Sequence, residues 1–175
     1  NEVLFERIHN VSVTGYVYNV AHTPKGLPPH NDFASYMSQP SIQVLHMLEN
    51  ECEGGESIIV DGWQVAKDLK DEMPEYFSIL QNFIVPFREF DEENETYAEA
   101  PLIKCATNGT IESFRFSNQL MQMIDPRKEG VREFYKAYHE ISLRVHDKKY
   151  RSTFRLNGGD ALVVASLRVL HAREP

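Results

Sequence analysis

Cysteine is nearly absent from this chain: Cys52 and Cys105 are the only two in 175 residues, and they form no C-x-x-C pair. That excludes a cysteine-rich zinc framework. The two read as ordinary thiols of the cytoplasm or another reducing intracellular compartment, with a single disulfide as the alternative. Basic charge is also short, with 18 Lys and Arg against 26 Asp and Glu and a net charge of −8. Neither nucleic acid nor an anionic membrane attracts such a chain. No apolar run approaches the roughly 20 residues that span a bilayer. No signal peptide is visible, although Asn1 is not a natural start, so more chain is expected upstream. Internal repeats and low-complexity linkers are missing as well. What is present is an ordinary globular composition, 42% hydrophobic and 25% charged. The length suits one domain, residues 1–175, with a sizeable core.

Residues 1–22 carry β-branched and aromatic side chains around Gly15 and read as strand material with a turn. The Pro/Gly cluster at 24–29 ends it. Residues 41–48 read as a buried strand, and 57–60 as a second, ending at Asp61-Gly62. From Gln64 the period changes. Val65, Leu69, Met73, Phe77 and Leu80 recur at helical spacing, and Pro74 divides the stretch into two helices. Residues 83–90 return to strand spelling, and 91–95 form a solvated acidic turn without the ligand spacing of a calcium loop. Residues 102–106 and 111–116 flank Asn108-Gly109, a strong hairpin signal. A helix is expected from Asp125-Pro126 to about His146, with Val131, Phe134, Ala137, Tyr138, Ile141 and Val145 on one stripe. Residues 151–156, a buried 161–164 and 167–171 complete the strands, with a tight turn at 157–160. Many short strands with helical insertions predict a mainly β domain with helices packed outside.

His30-Asn31-Asp32 is the stretch with chemistry in it. On extended backbone residues i and i+2 point the same way, so His30 and Asp32 can reach one ion. A second His completes two imidazoles and one carboxylate on one face of a metal, a set that suits non-heme Fe(II) and leaves positions open. Of the other six His, His139 and His146 fall on the expected helix and read as surface residues. His46, inside an apolar strand, reads as a hydrogen-bonded core residue; His9 and His22 are ambiguous. His171 ends a β run, and the residues alone leave it one candidate among these.

Several segments in order now make the chain resemble the Fe(II)/2-oxoglutarate-dependent dioxygenases of the taurine dioxygenase class, closest to the γ-butyrobetaine and trimethyllysine hydroxylase branch. They are Asn19 to Thr23, Gly26-Leu27, His30-x-Asp32-Phe33, Ile42 to His46, Gly54-Gly55-Glu56-Ser57 and Val60-Asp61-Gly62. Phe116-Ser117-Asn118, Phe154 to Asp160 and Arg168 to Arg173 follow, so the resemblance covers most of residues 19–173. It implies a double-stranded β-helix (jelly roll, cupin-like) core with flanking helices. It also implies that Fe(II), 2-oxoglutarate and O2 serve the hydroxylation of an aliphatic C–H, with His30, Asp32 and His171 as the iron ligands. Ser57, 27 residues after His30, falls where the class contacts 2-oxoglutarate. Asn118 falls near an amide that contacts the substrate carboxylate, and Asn19, His22 and Phe33 fall in the substrate region.

The chain departs from the pattern in two places. The Arg that holds the far carboxylate of 2-oxoglutarate lies, in the class, further beyond the distal His than Pro175. Arg173 is too close to His171 to be that residue and is a candidate for lining the co-substrate site; Arg168 is a second basic candidate on a strand. Where the γ-butyrobetaine branch holds trimethylammonium in an aromatic cage, this chain has His22 in place of a Tyr, and Phe5 and His9 at less secure positions. Trp63 reads as core packing. The expected substrate is therefore a small betaine, amino acid or aminophosphonate-like molecule. A catalytically inactive β-helix binding protein and a zinc hydrolase are the competing readings, and a homodimer is compatible with the class.

Overall fold

The structure is a computed structural model that describes residues 8–12, 23–51 and 53–175. Asn19, His22, Phe5 and Cys52, and most of the N-terminal strand expectation, lie outside those residues. Residues 8–12 form no strand and are exposed. Among the described residues, no helix is long and apolar enough to cross a membrane.

The central sheet has the order β1 (Leu27–His30), β10 (Val169–Arg173), β3 (Ser57–Asp61), β8 (Arg151–Phe154), all antiparallel. Among the described residues three two-stranded sheets accompany it: β2 (Ile42–His46) with β9 (Ala161–Ala165), β4 (Val85–Phe90) with β5 (Glu95–Ala100), and β6 (Ile103–Cys105) with β7 (Ile111–Phe114). Three helices, α1 (Gly62–Glu72), α2 (Pro74–Asn82) and α3 (Val131–Val145), are inserted between strands. The molecule is thus strand-rich with helical insertions, as the patterning predicts.

The two faces of the central sheet have different tasks. Ile58, Val60, Leu170 and Ala172 are buried and share one core cluster with Val65, Ala66 and Leu69 of α1. The alternate positions, Ser57, Ile59, His171 and Arg173, look out of the opposite face. Helix α1 begins where Asp61 accepts hydrogen bonds from the main-chain N–H groups of Trp63 and Gln64. Gly62 is required there, because a Cβ would lie 2.8 Å from both the Arg168 carbonyl and the Phe114 ring. Trp63 packs against the core and donates its indole N–H to Leu167 O, so its expected core role holds. On α3, Phe134, Ala137, Ile141 and Val145 are buried, with Val131 and Tyr138 partly so. A run of rings leads from there inward: Phe83 on Phe134 (centroids 4.5 Å), Phe134 by Tyr138 (5.7 Å), Tyr138 by Phe116 (5.6 Å) and Phe116 by Phe114 (6.1 Å).

Several expectations need correction. The proline run is not only a turn, because β1 lies within it. Pro28 and Pro29 have no N–H to donate, and among the described residues β1 is the sheet's edge, where prolines are accommodated. Strand β5 is missed by the alternation, and α3 starts at Val131 rather than Asp125. The Asp125 carboxylate turns back to the N–H of Arg127, and Gly130 takes φ +77°, which interrupts the helix. Strands β2 and β9 exist as expected but only Val164 on them is buried; Val44 is 60% and Val163 63% exposed, because among the described residues nothing covers their outer face. His46 is accordingly exposed, not core, and Arg168 lies in the turn before β10, paired with Asp61 at 2.6 Å. His139 and His146 are exposed on and after α3, as read.

An acid-sensitive clamp joins α1 to the short turn Lys148–Tyr150. Lys149 Nζ and Tyr150 OH donate to Asp68 Oδ2 (2.8 and 2.9 Å), and Gln64 donates to Oδ1. These donors, Lys149 first, hold the Asp68 carboxyl at about 2 against an ordinary 3.8. A depressed folded-state value means the stabilisation is present above the ordinary range and is lost as pH falls toward about 2. Asp68→Asn is expected to be less stable than wild type at neutral pH and to lose less stability on acidification across that window. Thermal unfolding followed at several pH values checks this; parallel curves for the two proteins would contradict it.

Candidate metal centre

The register of β1 on β10 sets His30 directly opposite His171. Their rings lie 4.3 Å apart by centroid. Asp32 follows in the turn after β1 rather than on the strand itself, and Phe33 then takes φ +56°. The expected meeting still occurs. Asp32 Oδ1 is 3.4 Å from His30 Nε2 and 3.7 Å from His171 Nε2, and one donor atom from each residue lies within 4.8 Å of the others. His30 Nδ1 is 2.9 Å from Pro28 O, which fixes the ring and leaves Nε2 facing the carboxylate. Two imidazole nitrogens and one carboxylate oxygen, all partly buried, are a donor set that fits Fe(II).

The electrostatics fit a cation-binding group. Burial lowers the His30 pKa, but the hydrogen bond and charge of Asp32, with the Pro28 and His171 carbonyls, outweigh it and leave the value above 6.5. Burial raises Asp32, yet the His30 hydrogen bond, the charges of His171 and His30 and the Gln43 amide bring it down to about 2. His171 is pushed down to about 4, first by burial and then by His30, against the pull of Asp32. The carboxylate is therefore ionised and His171 neutral at physiological pH, as ligation requires.

The sequence reading did not find the residues that hold this group. Gln43 of β2 donates to Asp32 Oδ2, leaving Oδ1 toward the imidazoles, and Gln39 donates to Asp32 O at 3.1 Å. Asn31, between His30 and Asp32, is buried and hydrogen-bonded away from the donor face. Arg115 is buried too. Its Nη1 donates to the Ala34 and Tyr36 carbonyls, its ring-face neighbour is Phe87, and among the described residues no carboxylate pairs with it. Glu89 continues the inward row of Val85 and Phe87 on β4, and its pKa is raised by burial and then by the charge of Asp32. A charged residue in the inward row of Val85 and Phe87 is a signal the sequence carries for Glu89; Arg115, in the loop just after β7, carries no such signal.

The other expected site residues are placed as follows. Ser57 and Arg173 are cross-strand neighbours on the face that carries His171. Arg173 Nη2 donates to the Thr23 and Lys25 carbonyls (2.6 and 2.8 Å), tying down the approach to β1. Phe33 packs edge-on to Tyr36 at 5.0 Å, and Asn118 is exposed, its Oδ1 accepting from Tyr138 OH. His9 is exposed.

The chain is 31% identical over 154 residues to the γ-butyrobetaine dioxygenase of Pseudomonas sp. (strain AK-1), covering 88% of this chain and 40% of that protein. It is 26% identical over 164 residues to the human mitochondrial trimethyllysine dioxygenase, covering 89% of this chain and 38% of that protein. The chain thus spans about two fifths of the length of these curated relatives. Its fold is shared with an asparagine oxygenase solved with Fe(II), 2S,3S-3-hydroxyasparagine and succinate (TM-score 0.65, 15% identity, 88% of this chain and 46% of that one). The model of the taurine catabolism dioxygenase TauD, TfdA family matches residues 2–175, so the chain belongs to that family.

Proposed function

We propose that this chain is the catalytic domain of an Fe(II)- and 2-oxoglutarate-dependent hydroxylase, built on a double-stranded β-helix core. The observation that carries the reading is the convergence of His30 Nε2, Asp32 Oδ1 and His171 Nε2, with His30 Nδ1 held at the Pro28 carbonyl. Fe(II) held there with 2-oxoglutarate and O2 supplies, when bound, oxidation of an aliphatic C–H with release of succinate and CO2. The protein residues position and shield. Asp32 offers one oxygen because Gln43 holds the other. His171 is neutral and free to bind, and the Asp32 carboxylate facing both imidazoles favours a cation among the three donors. Ser57 and Arg173, side by side on the same face, are proposed to line the co-substrate. Phe33 and Asn118, with Asn19 and His22, are proposed to line the substrate.

The proposed substrate is a small betaine, amino acid or aminophosphonate-like molecule. The similarity to γ-butyrobetaine and trimethyllysine dioxygenases supports a cationic group on it. Glu89 stands close enough to Asp32 for that charge to raise its pKa, burial being the larger cause, and a cationic group bound there would favour its ionised form. Succinate release from a panel of such compounds, with Fe(II) and 2-oxoglutarate present, measures this directly. Stimulation by at least one amine-bearing acid is expected, and none by any member would remove the substrate class.

A further inference from the structure

Asn31 is the residue between two proposed ligands, yet its side chain turns away from them into the protein, where it is only 1% exposed. Its amide is used at every polar position. Nδ2 donates to Ser166 O at 2.9 Å and to Val169 O at 3.1 Å, and Oδ1 accepts from the main-chain N–H of Phe116 at 2.7 Å. Its own main-chain N–H donates to Phe116 O at 2.8 Å. The partners fix which end of the amide is which, since a flipped amide would set its oxygen against two carbonyl oxygens.

These bonds join three segments. Ser166 lies in the turn that feeds β10, and Val169 opens that strand two residues before His171. Phe116 follows β7 and leads to Asn118. One side chain, covalently flanked by His30 and Asp32, therefore grips the entry to the strand that carries the third donor. The β1–β10 pairing alone leaves slack, because its register shifts between Leu27 and His30. Pro28 and Pro29 have no N–H, so whichever of the two faces β10 gives the ladder no donor, and Asn31 adds bonds beyond the strand itself.

We propose that Asn31 is the positioning residue of the metal centre. It sets the separation of the His30–Asp32 pair from His171, and thereby metal affinity, without touching the metal. The inference rests on the metal-centre reading above. Asp at this position has the same shape but presents oxygens to the Ser166 and Val169 carbonyls, and Ala leaves three buried polar groups unpaired.

The test is Mn(II) affinity of the full chain, by electron paramagnetic resonance titration at a temperature where each protein is folded. Asn31→Asp and Asn31→Ala are compared with Phe134→Leu, a buried substitution on α3. The Asn31 variants are expected to bind about 10–100-fold more weakly than wild type, the range for losing a partner that orients ligands. Phe134→Leu, even with an equal fall in melting temperature, is expected to stay within about twofold, because losing part of one buried ring removes no partner of a ligand. Should both Asn31 variants fail to fold, Asn31→Ser, whose hydroxyl keeps one bond, provides the same comparison. Wild type that takes up no Mn(II) overturns the metal centre and this inference with it. Wild type that binds, beside folded Asn31 variants that bind as well, overturns the inference alone.

Discussion

His171→Ala is expected to remove the weak visible charge-transfer band that Fe(II) and 2-oxoglutarate give wild type under anaerobic conditions. Three donors converge on one point, and removing His171 leaves a single imidazole and Asp32 to hold the ion. The loss should exceed the roughly 10–100-fold that follows from removing a mere orienting partner. The fold should survive, because His171 is only partly buried and the inner face of β10 is carried by Leu170 and Ala172. His139→Ala, on the exposed side of α3, serves as the control and should leave the band intact. A band that persists in His171→Ala would refute the ligand assignment. A band absent from wild type itself, with metal bound, would instead favour the inactive binding protein or the zinc hydrolase.

The largest effect on stability is expected from Phe134→Ala. Phe134 is fully buried, stacks on Phe83 at 4.5 Å and adjoins Tyr138, which in turn meets Phe116. Truncating such a ring costs about 3–5 kcal/mol, through lost transfer energy and the cavity left behind. For a chain of this size the melting temperature should fall on the order of 10 °C. Denaturant unfolding measures it, and a loss under about 1 kcal/mol would mean that the surrounding rings collapse into the space. The cavity would sit between Phe83 and Tyr138 on the helical side, so metal affinity of the folded variant should be nearly unchanged. Tyr138 is the one link to watch, since its hydroxyl, pushed up to about 12 by burial, donates to Asn118.

What was legible in the sequence is what depends on near neighbours. Pro74 divides the helices, Asn108-Gly109 makes the β6–β7 turn with Gly109 at φ +82°, and the His-x-Asp spacing brings its two side chains to one point. The features misread depend on what lies across the fold. β1 is a strand because β10 pairs with it, despite two prolines. β2 and β9 are spelled as interior strands, but burial is decided by what covers them. The donors were nameable, the third only through the resemblance. Their supports were not: Asn31 reaches Ser166 across 135 positions, Arg115 reaches Tyr36 across 79, and Gln43 gains meaning only when β2 lies over Asp32. Distances of that kind have no periodicity in the chain.

The prolines of β1 have one more effect. Among the described residues, β1 is the outer strand of the central sheet, on the side where His30 stands. An outer strand normally offers a row of N–H and C=O groups to which a strand of another molecule can add, the usual beginning of sheet-to-sheet aggregation. Neighbouring N–H positions of a strand face opposite edges, so one of Pro28 and Pro29 removes a donor from that row, and the Pro28 carbonyl is already engaged by His30. Among the described residues, the rim of the candidate metal centre is therefore a poorer template for an incoming strand than an unbroken edge.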